Sequence, residues 1–250
     1  MRRTFEDLVA EAAAAPVEGW DFSWLDGRAG EERPSWGYAR LLAERMAGAS
    51  AALDIQTGGG EVLAGLPVLP PVTVATESWP PNIPLAAARL RARGAALVAD
   101  DEEPRLPFRS GVFDLVTSRH PVRTWWAEIA RVLRPGGAYL SQKVGPRSVF
   151  ELAEFFLGPL EGSARAPEAA RAEAEAAGLT VVDLRTERLR MEFHDVGAVI
   201  YFLRKVIWIV PGFTVERHLA RLRDLHDRIE AEGPFVAHSS RVLIEARRPE

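Results

Sequence analysis

The segment Leu53-Asp54-Ile55-Gln56-Thr57-Gly58-Gly59-Gly60-Glu61 constrains this chain more than any other. A buried strand over Ala51 to Ile55 runs into three consecutive glycines, and a helix is expected to start near Glu61. Three glycines leave no side chain between the backbone N–H groups and whatever lies above the turn, so a ligand can approach the main chain closely. Asp54, at the strand's end, is placed to accept hydrogen bonds from the turn's own amides. Gln56, Thr57, Gly58 and Gly60 are the positions nearest a ligand. A tight strand–helix turn with no ligand is the competing reading, because short motifs match by chance.

The rest of the composition narrows the setting. The chain has 250 residues, 47% of them apolar and 26% charged, which fits one large α/β domain with a sizeable core. It has no cysteine, which excludes disulfides, thiolate zinc sites and a cysteine nucleophile together. A net charge of −4 argues against a broad nucleic-acid surface. Arg2-Arg3 resembles the start of an export signal, but Glu6, Asp7 and Glu11 interrupt the apolar stretch such a signal needs. The apolar stretch Val196 to Val210 carries Arg204 and Lys205, and falls short of the roughly 20 residues a membrane span requires. The expectation is a cytoplasmic, soluble protein with no membrane segment.

From residue 51 onward strands and helices alternate, the pattern of a parallel sheet covered on both faces. Strands are expected over Ala51–Ile55, Val72–Thr76, Ala95–Ala99, Val112–Thr117 and Ala138–Lys143, with helices near Glu61–Gly65, Ile83–Arg93 and Thr124–Leu133. Gly136-Gly137 reads as a helix stop and turn. A further strand is placed at Thr180–Thr186 and the last at Val236–Ala246. Helices are also expected at Thr4–Ala14, Tyr38–Ala47, around residues 164–177, after an Asp195 cap, and at Val215–Glu230. The whole is read as a single domain, 1–250. It has a helical and aromatic N-terminal segment (1–50, with Trp20, Phe22, Trp24, Trp36 and Tyr38), a cofactor-binding core (51–145) and a C-terminal half (146–250). The insertion 191–232 is a candidate lid.

Open parallel sheets bind ligands beyond the carboxyl ends of their strands, where the winding reverses. Polar residues cluster at those predicted ends. Glu77, followed by Ser78, lies about 20 residues past the glycines, where an acidic side chain can accept both hydroxyls of a ribose. Asp100 and Asp101 end the third strand and can accept from an adenine amino group, with Leu106-Pro107-Phe108 sandwiching the ring. An acidic solvated loop is the alternative there. Thr117-Ser118-Arg119-His120 ends the fourth strand, at the mouth of the site.

These segments, with Val112-Phe113-Asp114-Leu115-Val116 and Glu128-Ile129-Ala130-Arg131-Val132-Leu133-Arg134-Pro135-Gly136-Gly137, make the chain resemble the class I S-adenosylmethionine-dependent methyltransferases over roughly residues 50–145. The resemblance implies a Rossmann-like, doubly wound, seven-stranded mixed sheet with its last strand antiparallel. It also implies S-adenosyl-L-methionine as cofactor and S-adenosyl-L-homocysteine as product. The cofactor-binding positions would be Asp54, Gln56, Thr57, Gly58, Gly60, Glu77, Ser78, Asp100, Asp101, Ser118 and Arg119. The chain departs from the family at Gln56, where glycine is usual.

Methyl transfer from a sulfonium is an in-line displacement that needs alignment more than a covalent residue. If the acceptor must lose a proton, His120 is the candidate general base; lining the cofactor or capping a helix are its other readings. Gln142, Trp36 and Tyr201 are candidate acceptor contacts. His218 and His226 are too far apart for a compact metal site, and no metal is expected.

Four functions are weighed. Methyl transfer to a small molecule leads. Ribosomal or transfer RNA as acceptor is disfavoured, because the zinc-binding cysteines of the methyltransferase group that the C-terminal insertion resembles are missing and the arginines are interspersed with acids. A nicotinamide-dependent oxidoreductase fits poorly, since the third fingerprint position is Leu63 rather than glycine. A binder that holds the cofactor without using it rests only on Gln56.

Overall fold

The computed structural model describes residues 3–19, 21–100, 104–161 and 166–250. Among these, eight strands form one mixed sheet: β1 (Ala29–Glu31), β2 (Ala51–Asp54), β3 (Val72–Glu77), β4 (Ala96–Ala99), β5 (Phe113–Arg119), β6 (Leu133–Val144), β7 (Thr180–Phe193) and β8 (Phe235–Arg247). Their order is β1-β7-β8-β6-β5-β2-β3-β4. Strands β2 to β6 pair parallel, and β8 runs antiparallel to β6. The Rossmann-like, doubly wound class is as read from the sequence, but the count is eight rather than seven. The extra strand is Ala29–Glu31, which pairs antiparallel with Met191–Phe193. Three residues are too few to show an alternating pattern, so only the pairing reveals it. Strand β6 also starts earlier than expected, at Leu133. It runs through Gly136 at φ 74°, where the sequence suggests a simple turn.

The chain divides into two compact units. One comprises residues 34–146, 164–187 and 241–250; the other comprises 1–33, 147–163 and 188–240.

The first of these holds the parallel strands. Successive residues of each strand point to opposite faces, so the unit has two apolar cores. One gathers Ala52, Leu115, Leu140 and Leu243 with Trp36, Tyr38, Leu42, Leu63 and Leu90. The other gathers Leu53, Val116, Tyr139 and Ile244 with Leu106, Trp126, Ile129 and Val132. The helices supplying these side chains are α2 (Tyr38–Ala47), α3 (Glu61–Ala64), α4 (Asn82–Arg91) and α5 (Trp126–Val132); α7 (Pro167–Ala176) adds Ala174. Asp114 fixes the start of β2 by accepting from the amides of Ser50 (2.9 Å) and Ala51 (3.0 Å). Because β2 lies between β3 and β5, the winding reverses at its carboxyl end, and the glycine turn sits there.

The other unit has its own core, built by α1 (Phe5–Ala14), α6 (Phe150–Leu157), α8 (Val196–Lys205) and α9 (Leu219–Glu232). Thr4 caps α1 in a reciprocal box with Asp7, and Asp195 caps α8 by accepting from Ala198 N at 2.8 Å. Within the segment 191–232, Val196, Val199, Ile200 and Leu203 are fully buried. No helix among the described residues is long and apolar enough to cross a membrane.

Candidate functional site

The glycine turn is held from β3, and not by Asp54 as its position suggested. The carbonyl of Thr76 accepts from Thr57 N at 2.9 Å, and its hydroxyl accepts from Gln56 N at 3.4 Å. The amides of Gly58 and Gly59 have no acceptor among the described residues. Gly58 and Gly60 take φ of 66° and 77°, which other residues adopt at a cost. Gly60 is also a packing position: a Cβ there would meet Leu90 Cγ at 3.2 Å and Ala86 Cα at 3.4 Å. The helix that follows, α3, is a single turn, so its dipole adds little to the site.

Asp54 instead accepts from the Thr117 hydroxyl at 2.6 Å, a pairing set by the register in which Asp54 faces Thr117. Full burial pushes its pKa up to about 6, although Thr117 favours the carboxylate. Thr57 Oγ1 lies near enough to favour that carboxylate too, but it is buried and forms no hydrogen bond of normal geometry. Orphaned buried hydroxyls are uncommon, and this one lies beside two unpaired amides.

Gln56 is the departure from the family pattern, and the structure explains how it is accommodated. It adopts φ 57°, the left-handed conformation for which glycine is suited. Its amide is turned onto the loop after β5: Oε1 accepts from Val122 N at 2.7 Å and Nε2 donates to the Arg123 carbonyl at 3.0 Å. The side chain ties two loops together.

At the end of β3, the buried Glu77 accepts through Oε1 from Ser78 N (3.0 Å) and Trp79 N (2.8 Å). These two bonds fix the carboxylate at the carboxyl end of the sheet. Ser78 and Asp100 are partly exposed, and Asp100 N donates to the Glu77 carbonyl at 3.0 Å. Asp101 lies outside the described residues, as does Trp20. Leu106 and Phe108, expected to sandwich a base, pack inward. Leu106 is 1% exposed and Phe108 meets Phe113 edge to face at 5.2 Å.

The end of β5 holds the remaining predicted residues. The Ser118 hydroxyl is buried in a cluster with Tyr139 Oη (2.7 Å) and Ser141 Oγ (3.0 Å). Its carbonyl accepts from Tyr38 Oη at 3.1 Å. Arg119 is exposed. His120 adopts φ 55°, its amide donates to the Gln142 carbonyl at 2.7 Å, and its Nε2 lies 3.2 Å from Gln142 Nε2. Burial, then the charges of Arg119 and Arg241, hold its pKa down to about 3. Trp36 and Gln142 were candidate acceptor contacts, but they satisfy each other. Trp36 Nε1 donates to Gln142 Oε1 at 2.9 Å, and the two are 2% and 4% exposed. Tyr201 belongs to the other unit. It stacks on Trp24 at 4.7 Å and donates to the Asp21 carbonyl at 3.2 Å, which accounts for both its ring and its hydroxyl.

Sequence reasoning assigned no role to Thr76 and Tyr139. No local motif marks them, because strand register alone brings them to the site. A small cleft, with room for little more than one water, is lined by Ile55, Ser118, Pro121, Thr124 and Tyr139. None of the turn's glycines lines it, and it is smaller than most small-molecule sites, so the turn and not the cleft marks the candidate site. No group of three metal-ligating side chains is assembled among the described residues.

Comparison with known proteins agrees with this geometry. Residues 53–141 match the family described as methyltransferase domain. A candidate methyltransferase of Bacillus halodurans C-125 superposes with a TM-score of 0.62 at 18% identity, covering 85% of this chain and 99% of its own. The YcgJ protein of Bacillus subtilis gives 0.60 at 17% identity, with 85% and 98% covered. The [4+2]-cyclase SpnF gives 0.54 at 19% identity, with 97% and 91% covered. No curated protein matches the sequence. At these identities the structural matches speak for the fold alone, and the presence of a cyclase shows that this fold hosts more than one chemistry.

Proposed function

We propose, from the match of residues 53–141 to the family described as methyltransferase domain, that the protein transfers the methyl group of S-adenosylmethionine to a small-molecule acceptor. One observation carries this reading: the buried Glu77 carboxylate, fixed at the end of β3, stands at the same sheet edge as a glycine turn with unpaired amides and a partnerless Thr57 hydroxyl. The residues fit an adenosyl amino acid. Glu77 Oε2 is the oxygen for a ribose hydroxyl, Asp100 suits an amino group, and the Gly58 and Gly59 amides with Thr57 suit the methionine carboxylate. A pyrophosphate would be repelled by the same acids. When bound, the cofactor supplies an electrophilic methyl group; the protein aligns it and excludes water.

The alternative that the chain only binds the cofactor loses its hint, because the Gln56 amide is spent on Val122 and Arg123. RNA as acceptor is supported by no feature of the described residues. A cytoplasmic setting goes with a small soluble acceptor.

The reading is tested by calorimetry with S-adenosylhomocysteine and, separately, NADH. Binding of the first only is expected, and Glu77→Ala should weaken it more than tenfold. Binding of NADH alone would overturn the assignment.

A further inference from the structure

Three residues from separate segments form a directed hydrogen-bond chain whose polarity can be read without ambiguity. The indole N–H of Trp36 can only donate. The Gln142 atom 2.9 Å from it must therefore be the carbonyl oxygen, Oε1. That turns the Gln142 amide nitrogen, also only a donor, toward His120 Nε2 at 3.2 Å. His120 Nε2 must then be the unprotonated, accepting nitrogen, and the ring's single proton sits on Nδ1. The backbone N–H of His120 donates to the carbonyl of the same Gln142 at 2.7 Å, so ring and main chain are held by one residue. Trp36 and Gln142 are almost fully buried, which leaves little room for the chain to reverse.

This polarity bears on the role of His120. A general base needs a free lone pair facing the acceptor. Here one nitrogen is occupied by Gln142 and the other already carries a proton. What His120 keeps for a ligand is a neutral N–H donor at Nδ1. The charged groups acting on it are Arg119, its neighbour in sequence, and Arg241 on β8, both positive. Strand register sets Arg119 opposite Gln142, the residue that holds His120, so a neutral donor and a guanidinium stand together at the end of β5, a setting for an anion.

We propose that Trp36 and Gln142 are positioning residues that lock His120 as the Nδ1–H tautomer, and that His120 with Arg119 recognises a methyl acceptor bearing a carboxylate or equivalent oxyanion. This rests on the methyltransferase reading and narrows its substrate class. With a carboxylate the chemistry closes without a base. The oxygen lone pair forms the O–CH₃ bond while the C–S bond breaks and its electron pair stays on sulfur. Sulfonium and carboxylate become a thioether and a methyl ester, and no proton moves.

The tautomer can be read directly from the imidazole nitrogen resonances of ¹⁵N-labelled full-length protein, independently of any activity. His120 should show a protonated Nδ1 and a bare Nε2. Trp36→Phe should release Gln142 and give a mixture of tautomers, and Gln142→Glu, now an acceptor, should move the proton to Nε2. A protonated Nε2 in the unaltered protein overturns the relay. For the acceptor class, the protein is titrated in the presence of S-adenosylhomocysteine with a mixed set of aliphatic and aromatic monocarboxylates and their matched primary amides. The carboxylates should shift the His120 resonances at concentrations at least tenfold lower than the amides. Equal response, preference for the amides, or no response of His120 to any carboxylate overturns the oxyanion assignment. Failure of S-adenosylhomocysteine to bind at all would instead strike the underlying methyltransferase reading, while the tautomer result would stand.

Discussion

Thr117 Oγ1 donates to Asp54 Oδ1 at 2.6 Å in a place closed to solvent, and that single bond does not offset the cost of burying the carboxylate. Tyr38 and Glu77 nearby add no positive charge; the charge of Glu77 raises the Asp54 pKa further. The base of the glycine turn is thus built on a carboxyl group that holds its proton to a higher pH than an ordinary aspartate.

Stability should follow the Asp54 proton. Its folded pKa, about 6, lies above the ordinary 3.8. Between these values the folded chain holds a proton that the unfolded chain has released, so stability falls as pH rises through this window and stays lower above it. The loss is about 3 kcal/mol, since each tenfold difference in proton affinity between the two states is worth about 1.4 kcal/mol. Asp54→Asn keeps an acceptor for Thr117 and removes the titration. Chemical denaturation from pH 4 to 8 should show the variant more stable than the parent above pH 6.5. Parallel curves for the two proteins would refute the assignment.

His120 contributes the opposite slope. Its folded pKa is held down to about 3, below the ordinary 6.5. As pH falls below 6.5 the unfolded chain takes up a proton that the folded chain refuses, so stability declines. In the Asp54→Asn background this decline should be read just below pH 6.5, above the range where carboxylates held low by their partners, such as Glu11, Glu128 and Glu151, lose their own contribution, and adding His120→Asn should flatten it there. Asparagine tolerates the φ of 55°. A slope that survives the second substitution would assign it elsewhere.

Gln56 combines a strained backbone with two useful bonds. Gln56→Gly and Gln56→Ala both lose the bonds to Val122 and Arg123, but only glycine relieves the φ of 57°. Gln56→Ala should be the less stable by about 1 kcal/mol, the reverse of the usual helix ranking of these residues. Hydrogen exchange at the Val122 amide should quicken in both. Equal stability of the two variants, or an unchanged Val122 rate, would mean the bonds do not hold the loop.

Thr57 distinguishes a ligand-directed hydroxyl from a packing defect. Thr57→Val replaces a buried, partnerless hydroxyl with a methyl of similar shape, and the free protein should gain about 1 kcal/mol. Affinity for S-adenosylhomocysteine should fall at the same time. A gain in stability with undiminished affinity would show that the hydroxyl serves no ligand.

What the sequence determined by itself is the local and the periodic. Alternating apolar runs placed β2 to β5 within a residue or two. The Asp195 cap marked where α8 starts, and the glycine triplet marked where β2 ends at the carboxyl edge of the sheet. These follow from short-range geometry that a residue's immediate neighbours carry. What only the tertiary structure decided is which side chains meet. Asp54 meets Thr117, Ser118 meets Tyr139 and Ser141, and Trp36 reaches Gln142 over 106 positions, because strand register and helix packing put them there. Register is set by the whole sheet and a hydrogen bond by fractions of an ångström. No pattern in the chain announced that Gln142 would face inward, or that it would dictate where His120 keeps its proton.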